Sequence, residues 1–195
     1  MDAHGVTLAC ATAAELRAAR RARVRSALVG LGAANGAPEG PLVSFGLAGA
    51  LRDGLPAGTV LDATRVVDGQ GEVLWEGPAL GVPDARPATI LAAEAVVDSA
   101  EERRQLYERT GADAADLESG PLARTGRLRG VLRVVSDTPE RPLSGIEVGA
   151  RPEGGYDWSG LVRAFVRQPR GFARAASDAR RALSRLGAAA EGWSG

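Results

Sequence analysis

The sequence predicts an α/β fold, a central mixed and mostly parallel β-sheet flanked by helices, on three observations. Short apolar runs broken by Gly and Pro alternate with longer amphipathic stretches, which is the pattern of a layered sheet-and-helix domain. The chain has 195 residues, 45 % of them hydrophobic, so one domain over 1–195 can bury a sizeable core. Gly-rich and acidic segments fall at the expected carboxyl ends of strands, where ligands bind in such sheets.

The elements follow in order. Residues 6–11 form a short apolar run, and 13–23 read as a helix with Thr12 as N-cap. Residues 24–29 read as a strand that runs into Gly30-Leu31-Gly32-Ala33-Ala34-Asn35-Gly36. Residues 42–45 are a buried-type strand ending in Gly46-Leu47-Ala48-Gly49. Residues 59–67 are β-rich, and Gly69-Gln70-Gly71 turns them into a hairpin with 72–75. Residues 99–110 form a charged helix capped by Asp98 or Ser99, 115–118 a short strand and 131–135 a strong apolar strand. Two helices, 156–167 and 171–186, flank Pro169, and 187–195 reads as a flexible tail.

Charge and composition exclude several classes. The 24 basic and 24 acidic residues cancel, which gives no argument for a nucleic-acid partner. All the basic residues are Arg, a bias shared with the abundant Ala and Gly. The lone Cys10 rules out an intramolecular disulfide, and with no signal peptide in view the expected location is the cytoplasm. The single His4, near the terminus, argues against a His-centred triad or a His-rich metal site.

Five segments can carry chemistry. Leu132-Arg133-Val134-Val135-Ser136-Asp137-Thr138 places a carboxylate just past a buried strand. A purine anion is a poor leaving group, and a carboxyl of raised pKa can supply the proton that it needs. Asp137, Pro139 and Glu140 equally fit an N-cap, an early helix proline and a capping-box acid, and locally both readings stand. In Asp113-Ala114-Ala115-Asp116-Leu117-Glu118-Ser119, Glu118 can accept hydrogen bonds from vicinal ribose hydroxyls, or belong to a solvated acidic loop. Gly30-x-Gly32 is no dinucleotide fingerprint, because no helix follows it; a loop presenting N–H groups to an anion or a ribose, or a plain tight turn, remains. Glu15, on the first helix, reads locally as a solvated acid. The C-terminal stretch sets Arg163, Arg167, Arg170, Arg174, Arg180, Arg181 and Arg185 against Asp178, which suits either a solvated helix face or an anionic lipid surface.

Together these segments stand in an order that resembles the purine nucleoside phosphorylase and methylthioadenosine/S-adenosylhomocysteine nucleosidase superfamily. Val43-Ser44-Phe45-Gly46-Leu47-Ala48-Gly49 followed by Pro56-Ala57-Gly58, Asp116-Leu117-Glu118-Ser119, Arg133-Val134-Val135-Ser136-Asp137 and Gly30-Leu31-Gly32-Ala33-Ala34-Asn35 carry the resemblance. Ser136-Asp137-Thr138-Pro139-Glu140-Arg141-Pro142-Leu143 and Ala150-Arg151-Pro152-Glu153-Gly154 are most similar to the hopanoid-associated phosphorylases.

The resemblance implies a three-layer fold and a nucleoside phosphorylase that releases adenine from an adenosyl-hopane-type nucleoside. It implies catalysis by Asp137 and Glu15, with substrate held by Glu118, Leu117, Ser136, Leu47, Ala48 and Gly49. Asp137 would protonate the base, Glu118 would hold the ribose and Glu15 would activate water or contact the acceptor. No metal or cofactor is implied; inorganic phosphate is a candidate co-substrate. A homo-oligomer (dimer or trimer) and transient membrane contact are also implied. The chain departs from the pattern in Leu117, where Met is usual, and in shortened helical segments at 36–42 and 119–130. A hydrolytic nucleosidase and an inactive nucleoside-binding relative are the alternatives.

Overall fold

The computed structural model describes residues 5–97, 99–140 and 169–194. It has the expected α/β architecture, with an eight-stranded mixed sheet at its centre. The strands are β1 (Thr7–Cys10), β2 (Arg25–Leu28), β3 (Leu42–Ala50), β4 (Val60–Val67), β5 (Val73–Glu76), β6 (Arg86–Ala92), β7 (Ala114–Asp116) and β8 (Leu128–Asp137). The helices are α1 (Ala13–Ala19), α2 (Ala100–Thr110), α3 (Ser119–Arg124) and α4 (Pro169–Ser194). Ser99 caps α2 by accepting from the Glu102 amide at 3.0 Å; the other expected cap, Asp98, lies outside the described residues. So do the expected helix 156–167, the segment Ala150–Gly154 and the side chains of Arg170 and Arg174.

The strands run in the order β2-β1-β3-β7-β6-β4-β5, and β8 bridges β3 and β4. That bridge closes β3, β7, β6, β4 and β8 into a ring. Pairings of β1 with β2 and β3, of β3 with β8, of β4 with β6 and of β6 with β7 are parallel. Those of β3 with β7, β4 with β5 and β4 with β8 are antiparallel. Successive side chains of a strand point to opposite faces. Val43 and Phe45 of β3 therefore join Leu132 and Val134 of β8 on one face, under Ala18 and Ala19 of α1 and Ala182, Leu186 and Ala190 of α4. Leu42, Ala48 and Ala50 point the other way, toward Val131, Val135 and Leu122 of α3.

Four differences from the sequence reading matter. Strand β3 continues through the Gly46–Gly49 segment, because glycine there relieves close contacts within the sheet instead of ending it. Strand β6 was not expected; Pro87 near its start disguised it, although proline is tolerated at a strand's beginning. Helix α3 was likewise missed. Residues 187–194 are no loose tail but the last turns of α4. Gly187 lies against Arg21, where a Cβ would stand 2.8 Å from its Cδ, and Trp193 Nε1 donates to the Leu80 carbonyl at 3.1 Å. Packing there outweighs the low helix propensity of glycine.

Candidate active site

Helix α1 opens with a reciprocal cap. The Thr12 hydroxyl accepts from the Glu15 amide at 3.2 Å, and Glu15 Oε2 accepts from the Thr12 amide at 2.8 Å. Thr12 and a glutamate three residues on form the capping-box pair. This short helix follows β1, so the cap delivers Glu15 to the strand's carboxyl end. There Glu15 Oε1 accepts from the Leu47 amide on β3 at 2.8 Å. Glu15 is buried, so it is not the solvated helix acid that its local sequence suggests. Gly46 makes the approach feasible: a Cβ on it would stand 2.4 Å from Glu15 Oε1.

A second group is built around Arg133, which is 0 % exposed. From β8 its guanidinium pairs with Asp116 and stands 3.5 Å from Glu118 Oε2. Its Nη2 also lies 2.6 Å from the Ser44 hydroxyl. The Ser119 hydroxyl donates to Asp116. Burial works against the charge of Arg133, but Asp116, Glu118 and Glu15 together hold its pKa above the ordinary arginine value. Arg133 Nε is, among the described residues, a buried polar atom with no hydrogen-bond partner.

Glu118 follows β7 and accepts from the Gly32 amide at 3.2 Å. Gly32 adopts a φ of +58°, a conformation that glycine enters without strain. The Gly30–Gly36 turn thus presents an N–H to an acceptor, here the protein's own Glu118 carboxyl oxygen. Burial raises the Glu118 pKa to about 8; Arg133 lowers it, Asp116 and Glu15 raise it, and the Gly32 amide lowers it. Near neutral pH Glu118 is therefore largely a protonated acid with one O–H donor, not the acceptor-only carboxylate of the sequence reading.

The third group contains Asp137, at the end of β8. Its Oδ1 accepts from the Ser136 hydroxyl at 2.6 Å, and its Oδ2 accepts from Arg103 Nη2 at 2.5 Å. Its carboxylate is engaged by side chains, which is not the arrangement of an N-cap. Arg103 reaches across from α2, where it is the one buried residue. Two main-chain carbonyls hold it as well: Val97 O accepts from Nε at 2.9 Å and Ala50 O from Nη1 at 3.1 Å.

Members of each group, though not Arg133 itself, line one cavity of about 240 Å³. Glu15, Leu47, Ala48, Gly49, Leu117, Glu118, Ser136 and Asp137 all border it, so every site residue expected from the sequence is brought together. Backbone groups of Leu47 and Ala48 are already committed, the first to Glu15 and the second to a 3.3 Å contact with Ser136 Oγ. Sequence reasoning assigned no role to Arg103, Asp116 or Arg133. Arg133 carries a signal, a charge inside an apolar strand; Arg103 carries none, since its neighbours on α2 are also charged. Burial pushes the Cys10 thiol far above its ordinary range, which leaves it unreactive. Among the described residues no group of His, Cys, Asp and Glu side chains could hold a metal ion. None of the described helices is long and apolar enough to cross a membrane.

No family model and no curated protein matches the chain. Solved structures do. Futalosine hydrolase of Helicobacter pylori strain 26695 superposes with a TM-score of 0.66 at 12 % identity, over 96 % of this chain and 96 % of that one. The 5′-methylthioadenosine/S-adenosylhomocysteine nucleosidase of the same organism, in complex with a pyrrolidine-based ligand, gives 0.62 at 13 % identity, over 97 % and 98 %. The corresponding nucleosidase from Colwellia psychrerythraea 34H, solved with adenine, gives 0.63 at 12 % identity, over 96 % and 94 %. The chain therefore shares the fold of these structures along nearly its whole length.

Proposed function

We propose that the protein hydrolyses the N-glycosidic bond of a purine nucleoside. The observation that carries this reading is the convergence of Glu15, Glu118 and Asp137, from three separate elements, on one cavity. Glu118 holds the ribose hydroxyls. Asp137 gives a proton to the leaving base, and Glu15 orients the attacking water and takes its proton. The cationic sugar of a dissociative transition state sits beside the carboxylates of Glu15 and Asp116, which stabilise it electrostatically.

Charge favours water over phosphate as acceptor. Arg133 is one guanidinium among three carboxylates. Even with Glu118 protonated the group stays negative, and a phosphate dianion would be repelled. The structural neighbours, a futalosine hydrolase and two nucleosidases, are named for hydrolytic activities, which supports the same choice.

The cavity is lined partly by apolar side chains, among them Leu31, Val96, Val97 and Leu183. This favours, as a narrower reading, a lipophilic 5′ substituent such as the adenosyl-hopane-type nucleoside implied by the motifs. Exposed Arg180, Arg181 and Arg185 on α4 would then support transient contact with an anionic membrane surface.

The test is purine release from adenosine, inosine and methylthioadenosine, with and without inorganic phosphate. Release without phosphate is expected, giving free ribose from adenosine and inosine and methylthioribose from methylthioadenosine. Strict phosphate dependence with ribose 1-phosphate as product would overturn hydrolysis. Binding without release would leave a nucleoside-binding protein.

A further inference from the structure

We infer that Arg103 is a further catalytic residue, a fixed cation that bonds the departing base beside Asp137. The inference rests on the hydrolase reading above. Helix α2 buries none of its residues but Arg103, which is 2 % exposed. Leu106 packs α2 on the apolar cluster of Leu51, Val67, Leu91 and Ala112, yet the helix's one buried side chain is a guanidinium in the cavity wall. Burying a charged pair is costly, and as a device for stability alone an apolar contact would serve as well or better. The pair therefore suggests a purpose beyond holding α2 in place.

The hydrogen-bond count identifies that purpose. A guanidinium carries five N–H groups and no acceptor. One goes to Val97 O at 2.9 Å, one to Ala50 O at 3.1 Å and one to Asp137 Oδ2 at 2.5 Å. The other two, one on each terminal nitrogen, have no partner among the described residues. Two main-chain carbonyls fix the guanidinium from behind, so it keeps its place whatever the state of Asp137. Gly49 lies against the pair, where a Cβ would stand 3.0 Å from Asp137 Oδ2 and 3.3 Å from Arg103 Nη1. The missing side chain leaves the pair uncovered on that side.

The chemistry uses both features. The C1′–N bond breaks and its electron pair goes to the base. Asp137 transfers its proton to a base nitrogen and becomes a carboxylate. Water oxygen bonds to C1′, and the proton that it loses passes to Glu15. Arg103 loses no proton. Its free N–H groups bond an acceptor atom of the base, and these bonds strengthen as negative charge builds there. The bond from Arg103 Nη2 to Asp137 Oδ2, 2.5 Å long, holds the carboxylate that forms once the proton passes to the base. This hold favours the transfer.

The experiment compares Arg103→Met and Arg103→Lys with wild-type protein on inosine and on p-nitrophenyl riboside, whose phenolate leaves without help. Thermal unfolding of each variant gives the folded fraction to which kcat is scaled. For Arg103→Met, kcat on inosine should fall by about 10²–10³-fold, the worth of one donor to a developing anion. KM should change little, turnover of the nitrophenyl riboside should fall far less, and Arg103→Lys should retain part of the inosine activity. Equal losses on both ribosides, a rise in KM alone, or no loss would overturn the inference and leave Arg103 as an anchor for α2. Wild-type protein that cleaves neither riboside nor any other purine nucleoside would instead overturn the hydrolase reading, and this inference with it.

Discussion

Gly46 and Glu15 are packed so closely that no side chain fits between them: a Cβ on Gly46 would stand 2.4 Å from Glu15 Oε1 and 2.3 Å from Arg133 Nη1. Both neighbours are buried charged groups with fixed partners, so neither can yield cheaply. Gly46→Ala should cost about 1–3 kcal/mol of stability, the usual range for overpacking. It should also lower turnover by displacing Glu15. Thermal unfolding with steady-state kinetics checks both, and an unchanged kcat would show that Glu15 need not hold its position.

Asp137→Asn keeps the shape of the side chain but removes the transferable proton. On folded protein kcat should fall by about 10²–10⁴-fold, the typical contribution of a general acid. KM should move little, because the proton shifts only in the transition state. Undiminished base release by folded Asp137→Asn protein would remove the residue from the mechanism.

Glu15 accepts main-chain hydrogen bonds with both oxygens, from Leu47 and from Thr12. In Glu15→Gln an amide NH₂ must face one of those N–H donors. The lost bond should cost on the order of 1 kcal/mol. Turnover should fall much further than nucleoside affinity, as measured by kcat against a dissociation constant for an unreactive analogue. A parallel loss of affinity would recast Glu15 as a binding residue.

Glu118 makes stability depend on pH in a stated direction. Its pKa rises from the ordinary 4.5 to about 8 in the folded protein, chiefly through burial. Between these values the native state holds a proton that the unfolded chain has released. Its contribution is therefore fully present below the ordinary value and is lost as pH rises through about 8. The melting temperature should fall across that window, and the slope should flatten in Glu118→Gln. A slope identical in the two proteins would assign the dependence to other groups.

Exposed Arg180, Arg181 and Arg185 yield a last prediction. Full-length protein should co-sediment with anionic vesicles and come off with added salt, since exposed charges are screened. Equal recovery with neutral and anionic vesicles would exclude the membrane contact.

The sequence made the sheet legible where periodicity or turn chemistry was local. Thr12 declared the start of α1, and the apolar run at 131–135 declared β8. Spacing alone could not assign the carboxylates. The cap reading at Asp137 fails because its carboxylate accepts from Ser136 and Arg103, whereas Thr12 and Glu15 form a capping box at the start of α1. Glu15 looked solvated because its burial comes from Leu47 and Arg133, distant in the chain. Arg103 was illegible for the same reason: its partners lie on β3, on β8 and in the loop before α2. Residues 187–194 looked loose because Gly187, Gly192 and Ser194 interrupt the helix-favouring alanines, whereas the helix there is held by tertiary contact with Arg21 and Pro83.

Closure of the sheet also bears on how the protein resists aggregation. With β3, β7, β6, β4 and β8 joined in a ring, the described strands with an unpaired side are β2 and β5. Such sides are templates for edge-to-edge association. Both strands have only four residues, and each carries a charge at its end: Arg25 on β2, and Glu76 on β5, held by Arg65 at 3.1 Å. Val73, 51 % exposed on β5, is the apolar residue that these charges guard. Edge-on self-association is thus confined to two short, charged stretches, while the strands that build the cavity have no free side to offer a neighbour.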